Sequence, residues 1–208
     1  MTIGPNLTRL LELSVGASGL AAPTFTPGLG CLGDELGALL AKSNGFVAFE
    51  SALRVRGQFP GEGGLHWWNE GNTWRSSFGG MTDGAYFFAE DIFGNQFGLR
   101  GQEVVSFDPE VGESAHIASS LDSWAEQLLM NFELLTGYPL AHAWQRAFFP
   151  LQLGSRLVPI TPFVLGGEFA VDNLRVVTDV AGMRSRAALA VQIRDLPDGT
   201  PIQLDVQP

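Results

Sequence analysis

The sequence predicts an α+β protein: a mostly antiparallel sheet flanked by helices, followed by a C-terminal α/β extension. Three observations carry this. A helical segment at 34–43 precedes the main strands. Short runs of period-two hydrophobicity then follow one another between 46 and 119, separated by turns and without a crossover helix. A long amphipathic helix closes the stretch at 119–137. Parallel neighbours need a crossover of about a dozen residues or more, so strands spaced this closely pair antiparallel.

Residues 1–33 are rich in Gly, Pro, Ser and Thr after LTRLLEL, and read as one weak helical turn followed by loop. In DELGALLAKS (34–43), Asp34 is the expected cap, Leu36, Leu39 and Leu40 share a face, and Asn44-Gly45 ends the helix. FVAFE (46–50) reads as a buried strand. LRVRGQF (53–59) alternates Leu53, Val55 and Phe59 inward with Arg54, Arg56 and Gln58 outward, the pattern of a half-buried strand. Residues 60–84 hold three tryptophans among glycines and read as a long irregular loop.

AYFFAED (85–91), a turn at Gly94-Asn95, EVVSFDP (103–109), the turn DPEVG (108–112) and SAHIAS (114–119) complete a meander. In SSLDSWAEQLLMNFELLTG (119–137), Ser119 and Asp122 resemble a capping box. Leu121, Trp124, Leu128, Phe132 and Leu135 lie on one stripe, and Gly137 stops the helix. YPLAHAWQRAF starts a second helix, with Pro139 in its first turn. Beyond about 150 the chain reads as an addition: extended pieces, helices at 172–180 and 183–196, and the strand IQLDV (202–206). The expected division is a domain at 1–150 with an extension, 151–208, packed on it.

With 208 residues, 45% of them hydrophobic, the chain can bury a sizeable core. Its net charge of −10 repels nucleic-acid phosphates and anionic membranes and favours a basic partner. No run of about 18 apolar residues is present, so no transmembrane helix is expected. Glu12 interrupts the apolar N-terminal run, so a secretory signal is not expected either. Cys31 is the single cysteine, which excludes an internal disulfide and a cysteine zinc site and suits a reducing, cytoplasmic setting. Lys42 is the only lysine. No phosphate loop, no G-x-S-x-G elbow and no metal-ligand spacing occurs. No catalytic residue, metal or cofactor is therefore expected.

GLGCLG (28–33) has the G-x-G-x-x-G spacing of a dinucleotide turn through Gly28, Gly30 and Gly33, and Glu50 stands roughly where such folds place the ribose-binding acid. The motif needs a strand feeding its first glycine. Here the feed is LAAPTFTP, with Pro23 and Pro27, and no further βα unit follows. A nucleotide or small-molecule site at GLGCLG stays only as an alternative.

The aromatic group Trp67, Trp68, Trp74 and Phe78 is either a lid folded on the sheet or an interface, since exposed tryptophans concentrate at binding hot spots. Asp83, Glu90 and Asp91 add acidic groups nearby, although adjacent strand residues such as Glu90 and Asp91 face opposite sides. Trp67, Trp68, Trp74, Asp83, Glu90 and Asp91 are the candidate partner-binding residues.

The helix ending at Asn44-Gly45 and the following FVAFESAL (46–53) resemble the start of the SUKH superfamily. These small α+β domains include the yeast cell-wall-assembly regulator and many bacterial immunity proteins. FFAEDIFGNQFGL (87–99), VVSFDPEVGE (104–113) and the Trp-bearing SLDSW (120–124) resemble its later part. The likeness spans roughly 34–135. It implies a SUKH-like antiparallel sheet and a non-enzymatic binding protein, an antidote that caps a toxin. The expected function is thus an immunity protein that binds a basic toxin domain, as a monomer or homodimer. The alternative within binding proteins is a scaffold or regulatory module of the cell.

Overall fold

The computed structural model describes residues 2–16, 28–197 and 199–200. A seven-stranded sheet, antiparallel at every pairing, runs in simple chain order: β1 (Ser14–Gly16), β2 (Phe46–Ala48), β3 (Leu53–Val55), β4 (Ala85–Glu90), β5 (Gln96–Arg100), β6 (Glu103–Asp108) and β7 (Glu113–Ala118). The α+β architecture read from the sequence is therefore the one observed.

One face of the sheet carries α1 (Pro5–Glu12), α2 (Gly30–Lys42) and α4 (Leu121–Thr136). Leu7 and Leu10, then Leu32, Leu36, Leu39 and Leu40, then Trp124 and Leu128 meet Phe46, Leu53, Val55, Phe88 and Phe97 of the strands in one core. Leu residues three and four apart lie on one helix face, which is why these short helices dock at all. Segment 1–33 therefore holds more structure than predicted: a full helix and a strand precede the undescribed 17–27. The start of α1 is capped from outside, because Leu7 N donates to Asp122 Oδ1 at 2.9 Å. Asp122 is thus committed to α1. The cap of α4 is Ser120, whose hydroxyl accepts from Ser123 N, in place of the predicted Ser119–Asp122 pair.

The second face is also covered. α3 (Leu65–Trp68), a 3₁₀ turn at Arg75–Phe78 and α6 (Asp179–Ile193) pack Trp68, Trp74, Phe78, Met183, Ala187 and Ala190 against Phe87 and Phe107. A third cluster joins α5 (Tyr138–Ala147) to the hairpin β8 (Ser155–Pro159) and β9 (Leu174–Thr178) through Ala141, Trp144, Leu157 and Leu174.

Five expectations are corrected by the structure. α2 starts at Gly30 behind Leu29 with no side-chain cap, so Asp34 lies inside the helix and does not cap it. FVAFE is a strand only to Ala48; Phe49, Glu50 and Ser51 then turn in the left-handed region, with φ of 52, 53 and 68°. The 60–84 segment is not an open loop, because its tryptophans enter a core. Segment 172–180 is not a helix: Val176 and Val177 pair with Leu157 and Arg156 in β9, and α6 begins only at Asp179 behind its Thr178 cap. LRVRGQF is not half-buried, since Arg54 and Arg56 are interior and Phe59 is exposed. The strand IQLDV falls outside the described residues.

Candidate functional site

Cross-strand register builds the site. Val15 pairs with Val47, Val47 with Arg54, Arg54 with Glu90, and Glu90 with Gln96, so these five side chains form a row across the second face of the sheet. The β1–β3 end of this row lies open. There an apolar groove of about 210 Å³ is walled by Val15, Phe59 and Leu153, with Val47 and Arg54 along its floor. Val15 is 77% exposed and Leu153 76%. Asn44 closes one end: its side chain donates to Gln58 O at 3.0 Å and accepts from Gln58 N, clasping the chain after β3. Gly45 is required beside it. Its φ is 87°, and a Cβ there would meet Gly57 N at 2.6 Å.

The middle of the row is a buried ion cluster. Arg56 Nη2 donates to both Glu90 oxygens and to Asp179 Oδ2, each at 2.9 Å. Arg54 Nη1 lies 2.9 Å from Asp179 Oδ2 and 3.5 Å from Glu90 Oε1. Arg156 Nη2 stands 2.8 Å from Glu90 Oε1 as an ion pair without hydrogen-bond alignment. The Arg56 guanidinium lies 3.4 Å over the Trp68 ring, and Trp68 Nε1 donates to Gln96 Oε1 at 2.8 Å. Burial alone would raise the Glu90 carboxyl. Arg156, Arg56 and Arg54, with a hydrogen bond from Gln96, overrule it and hold Glu90 well below the usual carboxylate range. Burial lowers Arg54 to about 10, with the neighbouring Arg56 adding to the effect.

The predicted contact residues fall in different places. Trp68 and Trp74 are fully buried, so neither reaches a partner at the surface; of the two readings the tryptophan group left open, the structure takes the lid. Trp67 is half-buried at the edge of the same cluster. Asp83 is exposed. Glu90 is locked in the ion cluster and unavailable to a surface partner. Asp91 is also buried and serves the turn after β4, accepting from Phe93 N, Asn95 N and Asn95 Nδ2 at 2.9, 2.8 and 2.7 Å. Burial pushes its carboxyl up to about 7 despite these bonds and the pull of Arg186 and Arg156.

The GLGCLG segment does not form a dinucleotide turn. Gly30 opens α2, Gly33 lies buried inside that helix, and Gly28 precedes it at a φ of 68°. Glu50 is held by α5, with Oε2 2.8 Å from His142 Nδ1 and its backbone carbonyl bonded by Gln145. The proline-bearing feed at 20–27 lies outside the described residues.

Sequence reasoning missed Arg54, Arg56, Arg156 and Asp179 as a unit. The available signal was an Arg-x-Arg on a strand in a chain with only 12 cationic side chains. It missed Val15 and Leu153 because single exposed apolar residues carry no pattern.

No family model matches the chain, and no curated protein matches it in sequence. A solved structure similar to it is that of Atu4351 from Agrobacterium tumefaciens, 12% identical, covering 90% of this chain and 81% of that chain with a TM-score of 0.49.

Proposed function

We propose that the chain is a non-enzymatic protein-binding module of the immunity-protein kind, acting in the cytoplasm by capping a basic toxin domain. One observation supports this above the others. Six large apolar side chains between 148 and 169 stand exposed: Phe148, Phe149, Leu153, Ile160, Val164 and Phe169, the last at 69%. Aromatic side chains left in water at this density mark contact surfaces, because their burial against a partner supplies affinity. The net charge of −10 adds long-range attraction for a basic partner. The contact surface thereby moves from the tryptophan segment, now interior, to the part of the chain beyond α5.

The test is capture of partners from lysate of the source organism at low and high salt, with wild type beside a Phe149→Ser, Phe169→Ser double variant. Both sites are exposed, so the variant should fold. A basic protein retained in near-equal amount by wild type, weakened by salt and lost with the variant, is the expected result. That protein expressed alone should arrest growth, and co-expression of this chain should restore it. A captured protein that is harmless alone would replace the antidote reading with a scaffold role. Equal capture by wild type and variant would remove the 148–169 surface from the account.

A further inference from the structure

We propose that the groove over β1–β3 receives the C-terminal residue of a partner polypeptide, its apolar side chain between Val15, Phe59 and Leu153 and its terminal carboxylate on Arg54. This deepens the protein-binding reading and rests on it.

The anion follows from donor geometry at the groove. Arg54 is the one arginine that lines it, while Arg56 and Arg156 lie behind in the buried cluster with Glu90 and Asp179. Arg54 makes both of its bonds through Nη1, leaving its other guanidinium edge for the groove that it helps to line. A guanidinium lowered by desolvation gains more from an incoming carboxylate than one in water does. A planar carboxylate fits that fork in a way a point anion does not.

The source follows from size and lining. A groove of about 210 Å³ is too small for a drug-sized ligand, which needs roughly 300 Å³ or more, and holds about one residue. Its walls are apolar and its single cation is at the floor. A C-terminal residue joins an apolar side chain and a carboxylate within one unit of that size. An internal Asp or Glu would bring a carboxylate but no apolar body, and would need a second residue to fill the walls.

The probes are N-acetyl-leucine and N-acetyl-leucinamide, equal in shape and differing in charge, titrated into the full chain and followed by methyl and amide NMR. N-acetyl-leucine should shift Val15, Val47 and Leu153 saturably and bind about tenfold or more tightly than the amide. Leu153→Asp, at an exposed position, should weaken N-acetyl-leucine by about tenfold while leaving the rest of the spectrum unchanged. Equal binding of the two probes would overturn the carboxylate assignment, and the absence of saturable shifts at these residues would overturn the site. Leu153 belongs to both surfaces, so capture is tested separately at Phe149 and Phe169, which do not line the groove. Failed capture with selective N-acetyl-leucine binding would instead keep the ligand chemistry and remove the protein-binding reading.

Discussion

Glu90 is the residue on which the two faces of the chain's chemistry turn. It neutralises arginines from β3 and from β8, with Arg56 bound to both its oxygens. Glu90→Gln leaves Arg54 and Arg56 with Asp179 alone and removes the carboxylate that Arg156 faces. It should cost about 3–5 kcal/mol in urea unfolding at neutral pH, the usual penalty for stranding a buried charge. Arg56→Met leaves Glu90 neutralised by Arg54 and Arg156 and should cost less, about 1–2 kcal/mol. A larger loss for Arg56→Met than for Glu90→Gln would refute the charge accounting. The pH dependence has a definite sign. Glu90 is depressed in the folded state, so its contribution is present above the unfolded carboxylate value of about 4 and fades on acidification below it.

Asp91 has the opposite sign. Its folded value of about 7 lies above the unfolded one, so the folded state holds the proton more tightly between about pH 4 and 7. Stability from Asp91 is therefore present at low pH and lost as pH rises through that window. Asp91→Asn keeps a carbonyl for Phe93 N and Asn95 N and removes the titration. Relative to wild type it should gain stability steadily from about pH 4 to 7. A pH-independent difference would show that Asp91 is ionised throughout.

At the scale of elements, the 65–78 segment is a core element built without regular strands. Trp74 touches Trp68, Phe78, Phe87 and Phe107 with ring centroids between 5.3 and 6.5 Å apart. Asn69 fastens the segment to β4 by accepting from Phe87 N at 2.8 Å and donating to Phe87 O at 2.8 Å. Trp74→Ala should cost about 3–5 kcal/mol through the cavity it leaves. Trp67→Ala, at the half-buried edge, should cost less. If Trp74→Ala left stability unchanged and abolished partner capture, the segment would be an interface after all.

For the molecule as a whole, the part beyond 150 completes the fold. Asp179 at the start of α6 reaches Arg54, 125 residues away, and Met183, Ala187 and Ala190 cover the aromatics of β4 and β6. A chain ending at Pro150 would expose Trp68, Trp74, Phe87 and Phe107 on one side and take Asp179 away from Arg54 and Arg56. It should show no cooperative thermal transition, read by near-ultraviolet circular dichroism. A sharp transition in the shortened chain would make the tail an independent addition. Among the described residues no helix is long and apolar enough to cross a membrane.

The sequence by itself did not show β5 or the first turn of α2, but it determined the strands β4, β6 and β7, the helices α4 and α5, and α2 from Asp34 onward. Their signals are local: alternation over five or six residues, leucines at helical spacing, and Gly94, Gly112 and Gly137 at turns that need positive φ. It also determined the acidic balance, a net charge of −10. Only the tertiary structure decided which faces are covered. Alternation in Leu53–Val55 says that two sides differ, not that the second side meets solvent, and here α6 buries it. Only tertiary structure made Val176 and Val177 a strand, since their partners Leu157 and Arg156 lie in a separate stretch. The groove likewise depends on β1, β3 and Leu153 converging from three separate stretches of the chain. Local pattern records what one element buries; long-range packing chooses the layer that buries it.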